Sequence, residues 1–391
     1  MSALTEPADG IPEVVESERA LAQAADAIAA GEGPVAIDAE RASGYRYGQR
    51  AYLVQVRRDG SGTWLIDPIA CPDLTPLAEA IGAAEWILHA ATQDLQCLAE
   101  VGLRPRQLFD TELAARLLGL PRVGLAAVVE HYLGLSLAKE HSAVDWSTRP
   151  LPQPWLRYAA LDVEVLTELR NLMGVDLAAA EKSEWAREEF THLLTWAPSE
   201  RAEPWRRISR LSSLKTRRDY AVARELWYTR DGIAAERDIA VGRILPDAAL
   251  VDIARAAPST VEDLPAGHGA IRRFARQWLA AVKAGHAVPD ADLPVRQLPS
   301  EGPPPARAWA DKNPVAAARL TATRAALAEF AQAREIPVEN ICSPEPVRRV
   351  IWSPPEGRDV ESFAEALRAY DARPWQVAIV APILEAAFAD A

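Results

Sequence analysis

Four carboxylates and one tyrosine, spread over three segments of the chain, are the residues best suited to chemistry. They are Asp38, Glu40, Asp94, Tyr158 and Asp162. Oxygen ligands without histidine or cysteine favour hard cations such as Mg²⁺ or Mn²⁺ over zinc. Two such ions about 4 Å apart activate a water and stabilise the leaving oxygen in an in-line attack on phosphorus. This set therefore points to two divalent cations and the cleavage of nucleic-acid phosphodiesters.

The first three carboxylates lie in or just after predicted strands. Asp38 and Glu40 lie in an apolar, β-favouring run at residues 35–40, and residues two apart on a strand share a face. Asp94 follows a second predicted strand at 86–89, in the first turn of the next helix. We therefore expect these carboxylates to meet at the sheet.

The remaining pair lies on a predicted helix. Tyr158 and Asp162 are four residues apart in a segment with helical apolar spacing, so they should point the same way. Each piece has an ordinary explanation, because acidic pairs are common and a first-turn Asp complements the helix dipole. Unpaired carboxylates at the end of an apolar strand, however, repel one another and lose hydration. A bound cation removes that cost.

In this order and spacing the residues resemble the ribonuclease D family, within the exonucleases that use four acidic residues and a tyrosine. The resemblance covers roughly residues 13–290, and its other segments are Leu125–Gly134 and Asp145–Leu151. One departure is visible, since Ala39 and Arg41 stand where such enzymes often have threonine and a bulky apolar residue.

The resemblance implies an α/β exonuclease domain with a ribonuclease H-like mixed sheet flanked by helices. It also implies that the metal ligands are Asp38, Glu40, Asp94 and Asp162, with Asp38 bridging the two ions. Tyr158 would orient the attacking water, and Glu40 would assist from the opposite side. The implied products are nucleoside 5′-monophosphates released from the 3′ end of RNA.

The domain organisation follows from composition and pattern. We expect a disordered N-terminus at 1–13 and the exonuclease domain at 14–200. The helical pattern at 205–286 resembles the HRDC domain shared by ribonuclease D and RecQ-type helicases, and Ser259–Glu262 is typical of a helix capping box. A proline-rich linker is predicted at 287–306.

The last segment, 307–391, is predicted to be a second, diverged HRDC-like helical domain. Asn313 before Pro314 is typical of a helix N-cap. Apolar residues of the first helical segment recur 97 positions later, and Trp278 and Trp375 are also in register. Shared helical periodicity explains apolar matches alone, whereas a matched tryptophan favours a repeat.

Net charge is −12, so any nucleic-acid surface must be local. Residues 201–231 hold nine basic residues against four acidic ones, with aromatic residues between them. The alternative is a solvated helix face with its aromatics in the core. The predicted RNA-binding residues are Arg206, Arg207, Arg210, Lys215, Arg217 and Arg218.

Several other residues have weaker assignments. Tyr45 and Tyr47 offer a surface on which the terminal nucleotide could stack, with a simple β-turn as the alternative. His89 is a candidate for supporting the carboxylates from behind, with a purely structural role as the alternative. No role is assigned to His131, Glu140 or His141, and Lys139 is more typical of a solvated lysine than of a phosphate ligand.

Three cysteines without paired spacing suit a reducing compartment and give no zinc signature. With no export signal and no membrane-length apolar run, the sequence predicts a cytoplasmic protein without a membrane partner. There is no phosphate-binding loop for a nucleotide cofactor.

The leading hypothesis is a 3′–5′ exoribonuclease acting on RNA 3′ ends, either single-stranded tails or structured precursors such as tRNA. The alternatives are a proofreading or repair 3′–5′ exodeoxyribonuclease and a non-catalytic RNA-binding protein.

Overall fold

The computed structural model describes residues 2–137, 143–199, 201–267, 269–298 and 302–389. Lys139, Glu140 and His141 lie outside the described residues. The strands are β1 Ser2–Leu4, β2 Val14–Val15, β3 Glu32–Arg41, β4 Ala51–Asp59, β5 Gly62–Ile66, β6 Trp86–Leu88, β7 Leu108–Asp110 and β8 Leu135–Leu137.

The helices of the first 200 residues are α1 Glu18–Ala30, α2 Thr75–Ile81, α3 Leu95–Glu100, α4 Thr111–Leu117, α5 Leu125–Leu133, α6 Gln153–Glu164, α7 Leu166–Ala179 and α8 Ser183–Leu193. The later helices are α9 Arg217–Arg237, α10 Val241–Ile244, α11 Asp247–Ala256, α12 Gly269–Arg273, α13 Ala275–Ala287, α14 Trp309–Lys312, α15 Pro314–Ala333, α16 Val338–Ile341, α17 Pro344–Trp352, α18 Val360–Arg368 and α19 Pro374–Ala389.

A six-stranded mixed sheet carries the site, in the order β2-β5-β4-β3-β6-β7. Strand β3 is antiparallel to β4 and parallel to β6, and helix α6 packs against β3, β4 and β5. The predicted strands at 35–39, 51–56, 63–66 and 86–89 are all present, whereas the short strands β2 and β7 of this sheet were not predicted. The central position of β3 holds its side chains rigidly between two neighbours.

The helices after residue 200 belong to two different hydrophobic cores. Helices α9 to α13 enclose a core of their own around Trp205 and Trp278. Helices α14 to α19 instead belong to the same core as the sheet. Trp375 of α19 stacks on Trp185 with ring centroids 4.7 Å apart, and its indole nitrogen donates to Glu189 at 2.8 Å. The C-terminal helices therefore complete the exonuclease core, although the chain reaches them only after an independent helical domain.

The helix boundaries repeat at the offset seen in the sequence. Helices α15, α16 and α17 each begin 97 residues after α9, α10 and α11. Asn313 caps α15 by accepting from the backbone N–H of Ala316, as predicted. The common boundaries support the predicted repeat, and the different packing partners show that the two helical segments are used differently.

Two expectations were wrong. Residues Ser2–Leu4 are ordered as β1, because their backbone pairs in parallel with β8. The capping box at Ser259–Glu262 starts no helix. Thr260 instead forms a turn, in which its backbone N–H and hydroxyl both donate to the Asp263 carboxylate at 3.0 Å.

The matched tryptophans test this division of cores. Trp375→Ala should lower the unfolding temperature of the exonuclease core, and Trp278→Ala should lower only that of the helical domain. Each truncation removes a buried indole and should cost about 3–5 kcal/mol. Calorimetry of both variants separates the two transitions. A common shift of both transitions in either variant would contradict two independent cores.

Candidate active site

Three of the predicted ligands meet at one point. Asp38, Glu40 and Asp162 each offer a carboxylate oxygen, and these oxygens lie within 4.8 Å of one another. The strand alternation places Asp38 and Glu40 on one face of β3, and α6 packs against that strand with Asp162. The structure therefore brings together residues about 120 positions apart.

Asp94 lies beside this group on a tightly held turn. It follows a short 3₁₀ turn at 91–93, precedes α3, and makes no capping bond with its side chain. Asp110 at the end of β7 holds that turn, because its carboxylate accepts from the backbone N–H groups of Ala90 and Ala91 at 3.0 and 2.8 Å. Asp110 also caps α4. This supporting residue was missed, and its signal in the sequence is an Asp placed between a strand and a helix.

The carboxylates are buried where ionisation is costly. Burial is the main cause that raises the pKa of Glu40 and of Asp94 well above the usual range, and the charge of Asp38 adds to both shifts. Burial, with Asp38, likewise raises the pKa of Asp162. Burial also raises the pKa of Asp38, although a hydrogen bond from the Ala39 backbone N–H opposes it. The cluster needs positive charge to hold all four groups ionised at neutral pH.

Tyr158 projects into the same cleft. Its hydroxyl is hydrogen-bonded to Asp162, and burial, together with the charges of Asp162 and Glu40, raises the pKa of the phenol. The phenol therefore stays protonated at neutral pH in this environment. A protonated hydroxyl suits the orientation of a water molecule better than the removal of its proton.

His89 is a neutral structural residue that lines the cleft. Its Nδ1 lies 2.8 Å from the Thr111 hydroxyl, which itself donates to the Leu88 carbonyl. Burial lowers the pKa of His89 to about 4.

The donor set fits hard divalent cations. Gln55 lies directly across from Asp38 on β4, and its amide nitrogen and oxygen are buried without a hydrogen-bond partner among the described residues. A bound cation would neutralise the repulsion among the carboxylates, and its water ligands could hydrogen-bond to the unpaired amide of Gln55. Asp38, Glu40, Asp94 and Asp162 are the residues able to hold it.

The cleft has a volume of about 510 Å³. Besides the carboxylates it is lined by Gln93, Arg122 and the start of α5 at residues 124–127. Arg41 also lines it, with Nη2 3.7 Å from Oδ1 of Asp94. Gln93 and Arg122 were missed, because the sequence offers no pattern that separates them from ordinary exposed polar residues.

The loop after β3, which contains Tyr45 and Tyr47, packs against the helical domain formed by α9 to α13. The Ala240 backbone N–H donates to the Tyr45 carbonyl at 2.9 Å, and the Arg243 guanidinium lies 4.1 Å from the centre of the Tyr45 ring. The Tyr47 hydroxyl donates to Asp231 at 3.0 Å. Both tyrosines thus contact the helical domain, a role that differs from the predicted stacking on a nucleotide and from a simple turn.

The six basic residues predicted to bind RNA divide into two groups. Arg206, Arg217 and Arg218 donate to backbone carbonyls of the segment 285–295 and so fasten the start of the predicted linker to the helical domain. Arg207, Arg210 and Lys215 are exposed. The first group has a structural role that the sequence did not indicate. The second group is exposed and therefore accessible to RNA.

Comparison with protein families supports this geometry. Residues 12–178 match a family described as 3′-5′ exonuclease, and residues 219–282 match the HRDC domain. Residues 302–388 match a 3′ to 5′ exonuclease C-terminal domain. The last match describes a segment attached to exonucleases, in line with the shared core, and the second HRDC-like domain at 307–391 stays a prediction.

The chain is 33% identical to ribonuclease D of Jannaschia sp. (strain CCS1) over 276 residues, which covers 66% of this chain and 71% of that protein. It is 30% identical to ribonuclease D of Escherichia coli (strain K12) over 298 residues, covering 73% and 78%. The chain belongs to the ribonuclease D family. The predicted 3′–5′ exoribonuclease activity and the family's dependence on metal are thereby confirmed.

Solved structures agree with the ribonuclease D assignment. A protein from Bifidobacterium adolescentis superimposes with a TM-score of 0.90 at 37% identity, covering 99% of both chains. The E. coli RNase D crystal structure superimposes with a TM-score of 0.68 at 26% identity, covering 92% of this chain and 99% of that one. The predicted mixed sheet with attached helical domains is confirmed. Within the described residues, no helix is long and apolar enough to cross a membrane.

The raised pKa values predict how stability depends on pH. In chelator, the folded protein keeps protons on the carboxylate cluster that the unfolded chain releases near pH 4, so stability should fall as pH rises from about 5 to 8. Asp38→Asn removes one repelling charge and should raise the unfolding temperature at pH 8 by roughly 3 °C. Added Mg²⁺ should stabilise the wild type at pH 8.

The matched control is Asp59→Asn, at an exposed position where β4 ends. Thermal unfolding of both variants in chelator across this pH range is the measurement. Equal slopes for the two variants would show that the cluster does not govern the pH dependence.

Proposed function

We propose that this protein removes nucleoside 5′-monophosphates from RNA 3′ ends by hydrolysis with two Mg²⁺ or Mn²⁺ ions. The observation that carries the proposal is the meeting of Asp38, Glu40 and Asp162 within 4.8 Å in a cleft that also holds Asp94 and Tyr158. When bound, the cations supply an activated water and charge stabilisation at the leaving oxygen.

The residues of the chain have distinct tasks in this proposal. The four carboxylates hold the cations, and the buried sheet and the Asp110-bound turn keep them in place. Tyr158 would orient the attacking water through its hydroxyl oxygen, whose proton is donated to Asp162. His89 keeps β6 and the turn after it in register through Thr111.

The physiological substrate class is the 3′ end of a stable or structured RNA. The E. coli relative is described as an exoribonuclease involved in structured RNA processing. An HRDC domain fastened beside the cleft would extend the contact with such an RNA. A cytoplasmic location stays a prediction from the sequence, and the three cysteines are free and buried.

Carboxylate variants test the hydrolysis. Asp38→Asn and Asp162→Asn should reduce cleavage by about a thousandfold or more while RNA affinity is retained, because only the cation sites are lost. Tyr158→Phe should lower kcat with little change in KM. The assay uses 5′-labelled RNA and DNA of identical sequence, with Mg²⁺, with Mn²⁺ and with chelator.

A metal-dependent 3′ ladder on RNA that is absent from Asp38→Asn and present in Asp59→Asn would support the proposal. Preferential shortening of DNA would favour a 3′–5′ exodeoxyribonuclease. Near-normal turnover by Asp162→Asn would remove that residue from the site.

A surface pair tests the RNA-binding role of the helical domain. Arg207→Gln/Lys215→Gln removes two exposed cations and should weaken RNA binding and reduce the salt slope by roughly 1.4, as expected for two lost phosphate contacts with a single strand. The control, Arg104→Gln/Arg106→Gln, removes two exposed cations that precede β7, whereas the site lies toward the C-terminal ends of the parallel strands β3 and β6. The measurement is affinity against salt concentration with Asp38→Asn as the common background. Equal slopes in both variants would contradict a specific RNA surface.

A further inference from the structure

Arg41 is a cation built into the active-site cleft. Its Nη2 lies 3.7 Å from Oδ1 of Asp94, and the two side chains are 27% and 8% exposed. Strand alternation would send Arg41 to the face opposite Glu40. The pairing of β3 with β4 shifts register between Glu40 and Arg41, and such irregularities re-aim side chains next to active sites. The strand end therefore turns Arg41 toward the carboxylates.

The contact between Arg41 and Asp94 is a loose one. Charge-assisted hydrogen bonds are usually about 2.7–2.9 Å long. Arg149 illustrates a locked arginine in the same domain, because its Nε and Nη2 bind Asp67 at 2.6 and 3.0 Å and it also donates to the Tyr52 carbonyl. Arg41 is held far less tightly, so it can change partners at small cost.

Arg41 pairs with Asp94 when the site is empty, and it loses that partner when cations are bound. Four carboxylates balance two divalent cations, and Asp94 then no longer needs the guanidinium. Arg122, which also lines the cleft, is paired with Glu130 at 3.1 Å, so the guanidinium of Arg41 is left to pair with the single negative charge of an RNA phosphodiester. The family often has an apolar residue at this position, and an apolar side chain cannot form an ion pair with a phosphate.

We propose that Arg41 is a substrate-binding residue that pairs with Asp94 in the metal-free site and binds an RNA phosphate next to the 3′ end once cations occupy the carboxylates. The substrate half of this inference rests on the proposed function. The pairing with Asp94 does not.

The proposal predicts opposite changes in metal affinity and substrate affinity. Arg41→Leu and Arg41→Gln remove a charge that repels cations and competes for Asp94, so Mn²⁺ should bind on the order of tenfold more tightly. The same variants lose a charged contact to phosphate, so KM for RNA should rise on the order of tenfold. Arg41→Lys keeps the positive charge but lacks the planar guanidinium. Its Mn²⁺ affinity should therefore match that of the wild type, and its KM for RNA should lie between those of the wild type and the neutral variants.

The experiment measures Mn²⁺ binding by calorimetry without RNA, then kcat and KM with 5′-labelled RNA. Thermal unfolding in chelator confirms that each variant is folded, and Arg41→Gln serves if Arg41→Leu does not fold. Weaker or unchanged Mn²⁺ binding in both neutral variants would overturn the exchange of partners. Tighter Mn²⁺ binding with an unchanged KM would overturn the phosphate contact.

The two proposals can fail separately. A wild-type protein that binds Mn²⁺ but does not shorten RNA would refute the proposed function. The Mn²⁺ affinities of the Arg41 variants would still decide the pairing with Asp94, because that measurement needs neither RNA nor turnover.

Discussion

Repulsion among four buried carboxylates is the constraint around which this protein is arranged. Each of these groups would be easier to ionise at the surface, and placing them together in a cleft raises the cost further. The structure accepts this cost by fixing the groups on its most rigid parts, the central strand β3 and a helix packed across it. Asp110 makes the third support, since it holds the turn before Asp94 through backbone N–H groups. Because the fold holds these carboxylates together in spite of their repulsion, a bound cation relieves that repulsion and is held more tightly.

Periodicity predicts the pairs within this site, and the family resemblance predicts that the pairs meet. The two-residue period of a strand and the four-residue neighbourhood of a helix are local rules, so Asp38 with Glu40 and Tyr158 with Asp162 could be paired from spacing alone. Asp94 could be placed after its strand in the same way. Asp110 was missed because its position before α4 indicates only a local helix cap, whereas its bonds to the backbone N–H groups of Ala90 and Ala91, about 20 residues away, have no sequence pattern.

Surface residues were the least predictable. Arg206, Arg217 and Arg218 lie in a basic run and look like phosphate ligands, yet they bind carbonyls of the segment after α13. Tyr45 and Tyr47 follow the metal-site strand and contact the helical domain. In each case the partner lies tens of residues or more away in sequence. Charge and aromaticity identify a group that can make a strong contact, but the partner depends on how whole domains pack.

The shared core of the sheet and helices α14 to α19 has a consequence for how the enzyme is made. Domains generally fold as units during synthesis, starting from the N-terminus. Here the sheet emerges first, and the HRDC domain can close its own core next. The core that the sheet shares with the C-terminal helices is complete only when Trp375 and its neighbours have been synthesised. The nuclease domain would then reach its full stability late, although all of its candidate site residues are synthesised early.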